Sequence, residues 1–343
     1  MKRVDFLIVG GGFASYFFAH QLIRHGRSFL MIDSGAGNAS RISAGIVNPV
    51  VLKKFTTFWL AGEQIWALRT SLEEIRSYLN TELWIDEPVM RIFHDENERN
   101  LWLKKSAEPI LNDFLSPKIE FLENVRNPFG CGVVMHSGRL DVKTFFNNFS
   151  EYLVSRERLI NEAFDYGQLI PDDSVYKDIK FDNIIFCEGI AVNHNPWFGF
   201  LPVNANKGHQ LTAEIPDLQL RQTVKKKHFL FPTAPGCCYY GGTYDRRSLE
   251  ATIDSAAVEQ LENGLAEIVF QNFSVKEVNV AFRPTVGDRR PILGSHPQFK
   301  NLYVFNGLGA RGILNGNYFA EKLYRHITHG ESFYPEVDVK RFL

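Results

Sequence analysis

The chain has 343 residues, enough for roughly two domains around a large apolar core. Lys+Arg is 38 against Asp+Glu 39, a formal charge of −1, which argues against a partner that is mainly nucleic-acid backbone or anionic membrane surface. With 45% hydrophobic and 22% charged residues it is neither disordered nor fibrous, and 13% aromatic content suits either a Phe-rich core or the enclosure of a large planar ligand.

The first 33 residues carry the densest signal. Val4 to Val9 reads as a buried strand that ends at the turn Gly10-Gly11-Gly12. From Phe13 the period changes: Phe13, Phe17 and Leu22, with small Ala14, Ser15 and Ala19, predict a helix packed closely on a sheet and closed near Gly26. Phe29 to Ile32 is a second short strand, and Asp33 follows, 21 residues after Gly12. Strand, glycine turn, helix, strand and acid form a dinucleotide-binding unit. The backbone of Gly10, Gly12, Phe13 and Ala14 faces a pyrophosphate, and Asp33 accepts from a ribose hydroxyl. Ser15 stands where the third fingerprint glycine would be, and is still small enough for close helix–strand approach.

A loop of small and hydrogen-bonding residues follows, from Gly35 to Pro49, suited either to wrapping an extended ligand or to solvent. Helices are expected over Leu60–Leu79, Val142–Val154 and Ser255–Phe270, and a buried strand from Asp182 closes on Gly189. Lys207-Gly208-His209-Gln210 opens a strand, and His209 is the one histidine with a functional reading beside the structural one. Leu211–Glu214, Phe229–Phe231 and Val278–Phe282 predict an antiparallel sheet, with Lys225-Lys226-Lys227 as a solvated turn. Near the end, Gly307, Gly309 and Gly312 lie between an apolar strand, Leu302–Phe305, and a helix with Ile313, Phe319, Leu323 and Ile327 on its apolar positions. Glycines there let backbone approach a flat ring, and the helix N-terminus stabilises negative charge on it. Arg283 and Arg311 are candidates to grip a substrate carboxylate, because a planar guanidinium offers two parallel hydrogen bonds. Tyr240 and Tyr244 are either a polar cap on that site or ordinary strand residues. Arg289 and Arg290 read as a turn surface, with Arg290 also able to neutralise a phosphate.

Several segments carry a family resemblance. Ala39-Ser40-Arg41-Ile42-Ser43-Ala44-Gly45 resembles the loop after the ribose acid in the D-amino-acid oxidase, glycine oxidase and sarcosine oxidase superfamily of FAD-dependent amine oxidoreductases. Asp182 to Gly189, the Gly241-Gly242-Thr243 turn, and Phe282-Arg283-Pro284 through Asp288 to Gly294 are similar to further motifs of that superfamily. The resemblance spans Val4 to about Ile327. It implies a Rossmann-like FAD-binding domain of the glutathione-reductase type, interleaved with an antiparallel-sheet α+β substrate domain. The expected bounds are 1–82, 137–200 and 286–343 for the first and 83–136 and 201–285 for the second.

It also implies cofactor contacts from Ser34, Ser40, Arg41, Ser43, Ala44, Gly45, Gly189, Gly307, Gly309, Arg311, Gly312 and Ile313. Arg283 matches the carboxylate-binding arginine of glycine oxidase, and Arg311 falls where a sarcosine-oxidase relative has a lysine. No cysteine lies between Asn279 and Gly287, where some relatives attach flavin, so the FAD is expected to be noncovalent. The expected reaction is oxidation of the C–N bond of a small amine or amino acid by hydride transfer to flavin N5, with O2 or another electron acceptor. Ala310-Arg311-Gly312 is also similar to the flavin domain of the bifunctional enzyme that modifies the tRNA wobble uridine. An amino-acid-like group on tRNA is therefore an alternative substrate, and FAD binding without turnover a third reading.

Cys131, Cys187, Cys237 and Cys238 have neither CxxC nor metal-ligand spacing, which predicts a reduced, cytoplasmic protein without a metal. No apolar run approaches the ~18 residues of a membrane span, and Asp5, with no small-residue cleavage site after it, argues against a signal peptide.

Overall fold

The structure is a computed structural model and describes residues 1–36 and 39–343; Gly37 and Asn38 of the small-residue loop lie outside the described residues. Among those described, two eight-stranded sheets carry the fold. In the first, Leu159–Asn161, Phe29–Asp33, Lys2–Val9, Ile179–Phe186 and Leu302–Asn306 lie side by side and parallel, and Ile292–Ser295 closes the edge antiparallel. Phe6 to Val9 is buried throughout, as a parallel strand covered on both faces requires.

Six helices are described: α1 (Phe13–Arg24), α2 (Ala61–Leu79), α3 (Glu96–Ser106), α4 (Val142–Val154), α5 (Ser255–Ala266) and α6 (Gly312–His329). Every residue of α1 from Phe13 to Leu22 is buried, so this helix is enclosed on all sides. Tyr16 meets Phe146 and Phe149 of α4 edge-on, with ring centroids 4.9 and 5.2 Å away. On another side α1 meets α6. Gly312 and Gly316 are one turn apart there, and a Cβ on each would stand 3.1 Å from Phe13 Cδ2 and 3.2 Å from Phe17 Cδ2. The two helix backbones approach as closely as these glycines permit.

The second sheet runs in the order Ser274–Thr285, Asn204–Glu214, Cys237–Gly241, Phe229–Ala234, Thr223–Lys225, Val89–Ile92, Cys131–Val134 and Leu115–Glu120. Its pairings are antiparallel except that of Thr223–Lys225 with Val89–Ile92. α5 covers one face, where Leu211, Ala213, Leu230 and Tyr240 pack with Leu261 and Leu265. The end of Ser274–Thr285 abuts the first sheet: Pro284 Cγ is 3.9 Å from where a Cβ on Gly189 would stand, and Thr285 Cγ2 is 4.0 Å from that of Gly309.

Three expectations need correction. The helix expected to reach Phe270 ends at Ala266, because Ile268 and Val269 turn into the core while Phe270 is left exposed. α3 is a helix that periodicity does not announce, its sequence being mostly polar. Its signal is the cap: Asp95 Oδ1 accepts from Glu98 N at 2.7 Å, and Glu98 Oε2 from His94 N at 2.7 Å. The lysine run is a solvated turn only in part: Lys226 and Lys227 lie in the bend between two strands, and Lys227 is exposed. Lys225 ends a strand with Nζ 4.1 Å from the Phe229 ring centre, and burial, helped by Arg91, lowers its pKa to about 8.

A Gly316→Val substitution overpacks the α1–α6 contact by more than its gain in helix propensity, and should destabilise the fold by about 1–3 kcal/mol. Denaturant unfolding reads this directly; an unchanged midpoint would show that the helices have room to spare.

Candidate functional site

The C-terminal ends of the parallel strands meet at one place, where open α/β sheets bind ligands. Gly10 adopts φ +118°, and a Cβ on it would overlap the Cys187 carbonyl, so this turn requires glycine. Gly12 caps α1 without a side chain, and Phe13 N–H donates to Ser40 Oγ at 3.2 Å; Ala14 lies buried in that first turn. Asp33 is buried, its carboxylate set against Gly11 and accepting from Gly35 N at 3.1 Å. Arg41 approaches Asp33 Oδ2 at 3.5 Å and Tyr16 Oη at 3.2 Å, with its guanidinium 4.8 Å from the Phe146 ring centre. A cleft of about 330 Å³ opens beside Asp33 and Arg41, walled by Ser150, Ser155, Leu159 and Asn161. Ser34 is exposed and closes a turn by accepting from Ala36 N at 3.3 Å. Further along the loop, Ser43 Oγ is buried with no partner, Ala44 is half-buried, and Gly45 O accepts from Leu140 N at 2.9 Å.

The second half of the site comes from the other end of the chain. Asn306 Nδ2 donates to Gly189 O at 2.8 Å and its Oδ1 accepts from Gly307 N at 2.7 Å, tying the ends of two adjacent strands together. Gly307 has φ +70° and sits against Val286 and Ile292, so a side chain has neither conformation nor space there. Gly309 follows, Asn315 Nδ2 donates to Leu308 O at 3.0 Å, and α6 begins at Gly312 with Ile313 buried behind it. Its N-cap residue, Arg311, provides no side-chain cap. The N-termini of α1 and α6, neither capped by the side chain of its own N-cap residue, lie together here, and both favour negative charge.

Arg283 lies on the face of the second sheet opposite α5. Its guanidinium covers Gly208 and Gly242, within 2.9 Å of where their Cβ atoms would be. Nη1 donates to Thr243 O at 3.0 Å, and the ring of Tyr244, 65% exposed, is centred 4.4 Å away. No carboxylate pairs with Arg283 among the described residues.

Tyr240 is corrected out of this cluster. Successive strand residues face opposite sides, and Tyr240 points into the α5 core, fully buried, with its hydroxyl unpartnered. Its neighbour Tyr239 holds the opposite face, stacked on Phe231 at 4.7 Å with Oη beside Gly241 and Gly242. Burial pushes the Tyr239 phenol well up and Arg283 pulls it back, so it is a neutral donor at physiological pH. His209 is structural: Nε2 accepts from Asp254 N at 3.0 Å, Nδ1 faces Thr243 Oγ1 at 3.3 Å, and burial holds its pKa down. Arg311 and Arg290 stand over Phe58 and Trp59 at 4.3 and 4.6 Å, and Arg289 is exposed.

The residues present fit a flavin dinucleotide. Asp33 suits the ribose, the glycine turn and α1 the pyrophosphate, and the loop Gly307–Gly312 with α6 the electron-poor ring. The orphaned Ser43 Oγ of the small-residue loop needs an acceptor or donor that the described residues do not provide. Neither a helix long and apolar enough to cross a membrane nor a cluster of three or more His, Cys, Asp or Glu able to hold a metal occurs among the described residues.

Fold and site thus define an α/β dinucleotide-binding protein with a second sheet over the cofactor position. The chain belongs to the FAD dependent oxidoreductase family, whose profile matches residues 5–325; FAD is the cofactor of that family. Its fold is similar to that of glycine oxidase from Geobacillus kaustophilus, at 17% identity and TM-score 0.76, covering 100% of this chain and 98% of that one. Iminodiacetate oxidase from Chelativorans sp. BNC1 matches at 21% identity and TM-score 0.76, covering 98% of each chain. L-proline dehydrogenase from P. horikoshii matches at 14% identity and TM-score 0.77, covering 99% and 98%. In sequence the chain is 22% identical over 395 aligned positions to the tRNA 5-methylaminomethyl-2-thiouridine biosynthesis bifunctional protein of Leptospira interrogans. That match takes in 98% of this chain and 59% of the relative, so the chain spans about three fifths of that protein's length.

Gly10→Ala should weaken FAD binding at least about tenfold, roughly 1.4 kcal/mol, so that the variant purifies pale and takes up FAD poorly. A variant as yellow as the parent would remove Gly10 from the pyrophosphate turn.

Proposed function

We propose that the protein oxidises the C–N bond of a small carboxylated amine, using noncovalently bound FAD. The observation that carries this reading is the Arg283 guanidinium: oriented by Thr243 O and Tyr244, laid over two glycines and lacking an ion-pair partner, at the end of the sheet that abuts Gly189 and Gly309. A bidentate bond to a carboxylate fixes the substrate's Cα and amine relative to the cofactor position, and much of the acceleration then comes from orientation. Tyr239 and Tyr244 are the phenols beside that clamp. Cys187, the cysteine nearest the glycine turn, is buried and its thiol is pushed up, which supports noncovalent attachment. The proposed cofactor part comprises 1–82, 137–200 and 286–343, and the substrate part 83–136 and 201–285.

Bound FAD would supply the acceptor for a hydride from the substrate Cα, with O2 or another acceptor taking up the electron pair. The amine proton leaves to solvent, and the imine takes up water and splits into a carbonyl compound and an amine. No protein base is required when the substrate binds as the neutral amine.

The neighbours of similar fold bear the names of enzymes acting on glycine, iminodiacetate and proline, which supports a substrate with nitrogen next to a carboxylated carbon. A second reading, an amino-acid-like group on tRNA, draws on the 22% identical relative and is tested by a salt-dependent tRNA gel shift.

An anaerobic panel of glycine, sarcosine, D-amino acids and proline should bleach the flavin for at least one member. With that substrate, Arg283→Ala should raise KM by about 10²-fold, from the loss of a charge-assisted pair worth ~2–3 kcal/mol, while the flavin stays bound. An unchanged KM would remove Arg283 from the site.

A further inference from the structure

Arg283 is not the only arginine at this edge without an acid. Arg311 and Arg290 stand over the consecutive rings of Phe58 and Trp59, and Arg289 is next in the chain to Arg290. Among the described residues none of these three side chains makes a hydrogen bond or ion pair. The nearest carboxylate in sequence, Asp288, is engaged by Arg341 Nε at 3.0 Å and by Arg290 N at 2.9 Å.

Arg311 is the most exacting of the three. Its side chain is half-buried, and burial, reinforced by Arg289 and Arg290, disfavours its charge. Since a guanidinium keeps its proton, that burden is uncompensated positive charge. A guanidinium lying over an aromatic ring leaves its N–H edge open, and this edge matches a planar carboxylate. The strand that carries Arg283 joins this cluster to the first clamp: Thr285, two residues on, has Cγ2 4.0 Å from where a Cβ on Gly309 would stand, and Arg311 is two residues beyond Gly309.

We propose that the substrate is a dicarboxylic amine, with one carboxylate on Arg283 and the second acidic group on Arg311 and Arg290. This rests on the reading of Arg283 as a carboxylate clamp. The bond oxidised and the electron acceptor are those given above; the second clamp adds selectivity for a small diacid over a monoacid.

The test uses FAD-loaded protein and acids that are not oxidised: succinate against succinamate, which differ by one charge at nearly equal size, and glutarate against its half-amide. Binding is read by perturbation of the flavin spectrum and by calorimetry. The diacid should bind about tenfold more tightly than the half-amide, and Arg311→Gln should shrink that ratio toward one. Because Arg311 also opens α6, Arg290→Gln provides a second variant, and the flavin content of both is measured. A ratio near one in the parent, or one untouched by either substitution, overturns the inference; if the half-amide still binds in an Arg283-dependent manner, the carboxylate-clamp reading survives it. If neither acid binds, the clamp itself falls and this inference with it. Salt-dependent tRNA binding that Arg290→Gln weakens, alongside a ratio near one, would assign the edge to a phosphate backbone and also overturn the diacid.

Discussion

The site depends on how closely α1 and α6 lie together. Gly312 and Gly316 let the α6 backbone settle on Phe13 and Phe17, and this contact sets the N-terminus of one helix beside that of the other. Each terminus has four N–H groups without intrahelical partners and a partial positive charge. One suits the pyrophosphate and the other the electron-accepting edge of a flavin, so their separation must match the length of a single ligand. Sequence separation is no obstacle, because parallel strands from both ends of the chain lie in one sheet and bring Gly10 and Gly307 to the same edge.

A second constraint fixes the substrate side. The strand Ser274–Thr285 belongs to the second sheet, yet its end packs against Gly189 and Gly309 of the first. One continuous strand thus places Arg283 relative to the cofactor position without relying on a loop. The floor beneath the guanidinium is backbone only, at Gly208 and Gly242, and two adjacent aromatic rings, Tyr239 and Tyr244, line its surroundings. In the proposed reading cofactor chemistry is separated from substrate choice: the first falls to helix termini and an acid, the second to arginines on a rigid strand and its neighbouring turn.

The sequence and the structure agree best where periodicity and punctuation coincide. Val4 to Asp33 alternates strand, glycine turn, helix and strand with little ambiguity, and Leu302 to Ile327 does the same in reverse. Of its two readings Tyr240 takes that of the ordinary strand residue, for a reason of parity. In a strand one residue decides the face, and the Tyr239-Tyr240 pair contains no local signal for which ring meets α5. α3 lacked an apolar stripe because its inward side consists of little more than Trp102 and Ser106. Asn306 stands between a legible strand and Gly307, but its bridge to Gly189 depends on two strands meeting that are more than a hundred residues apart. Gly316 was missed because a small residue inside a helix has meaning only once the partner helix is known. The cationic edge was only half legible. Arg283 and Arg311 could be singled out, whereas the lack of an acid paired with the Arg290 or Arg311 side chain among the described residues is a property of the folded surface.

The central claim is that one FAD molecule spans both helix N-termini under a sheet that presents Arg283. A crystal structure of the FAD-loaded protein tests it most directly. The pyrophosphate should lie at Gly10–Ala14, a ribose hydroxyl at Asp33, and the flavin ring against Gly307–Gly312 with Arg283 across from it. An FAD whose ring lies away from α6, or whose pyrophosphate does not touch the first turn of α1, would contradict the account.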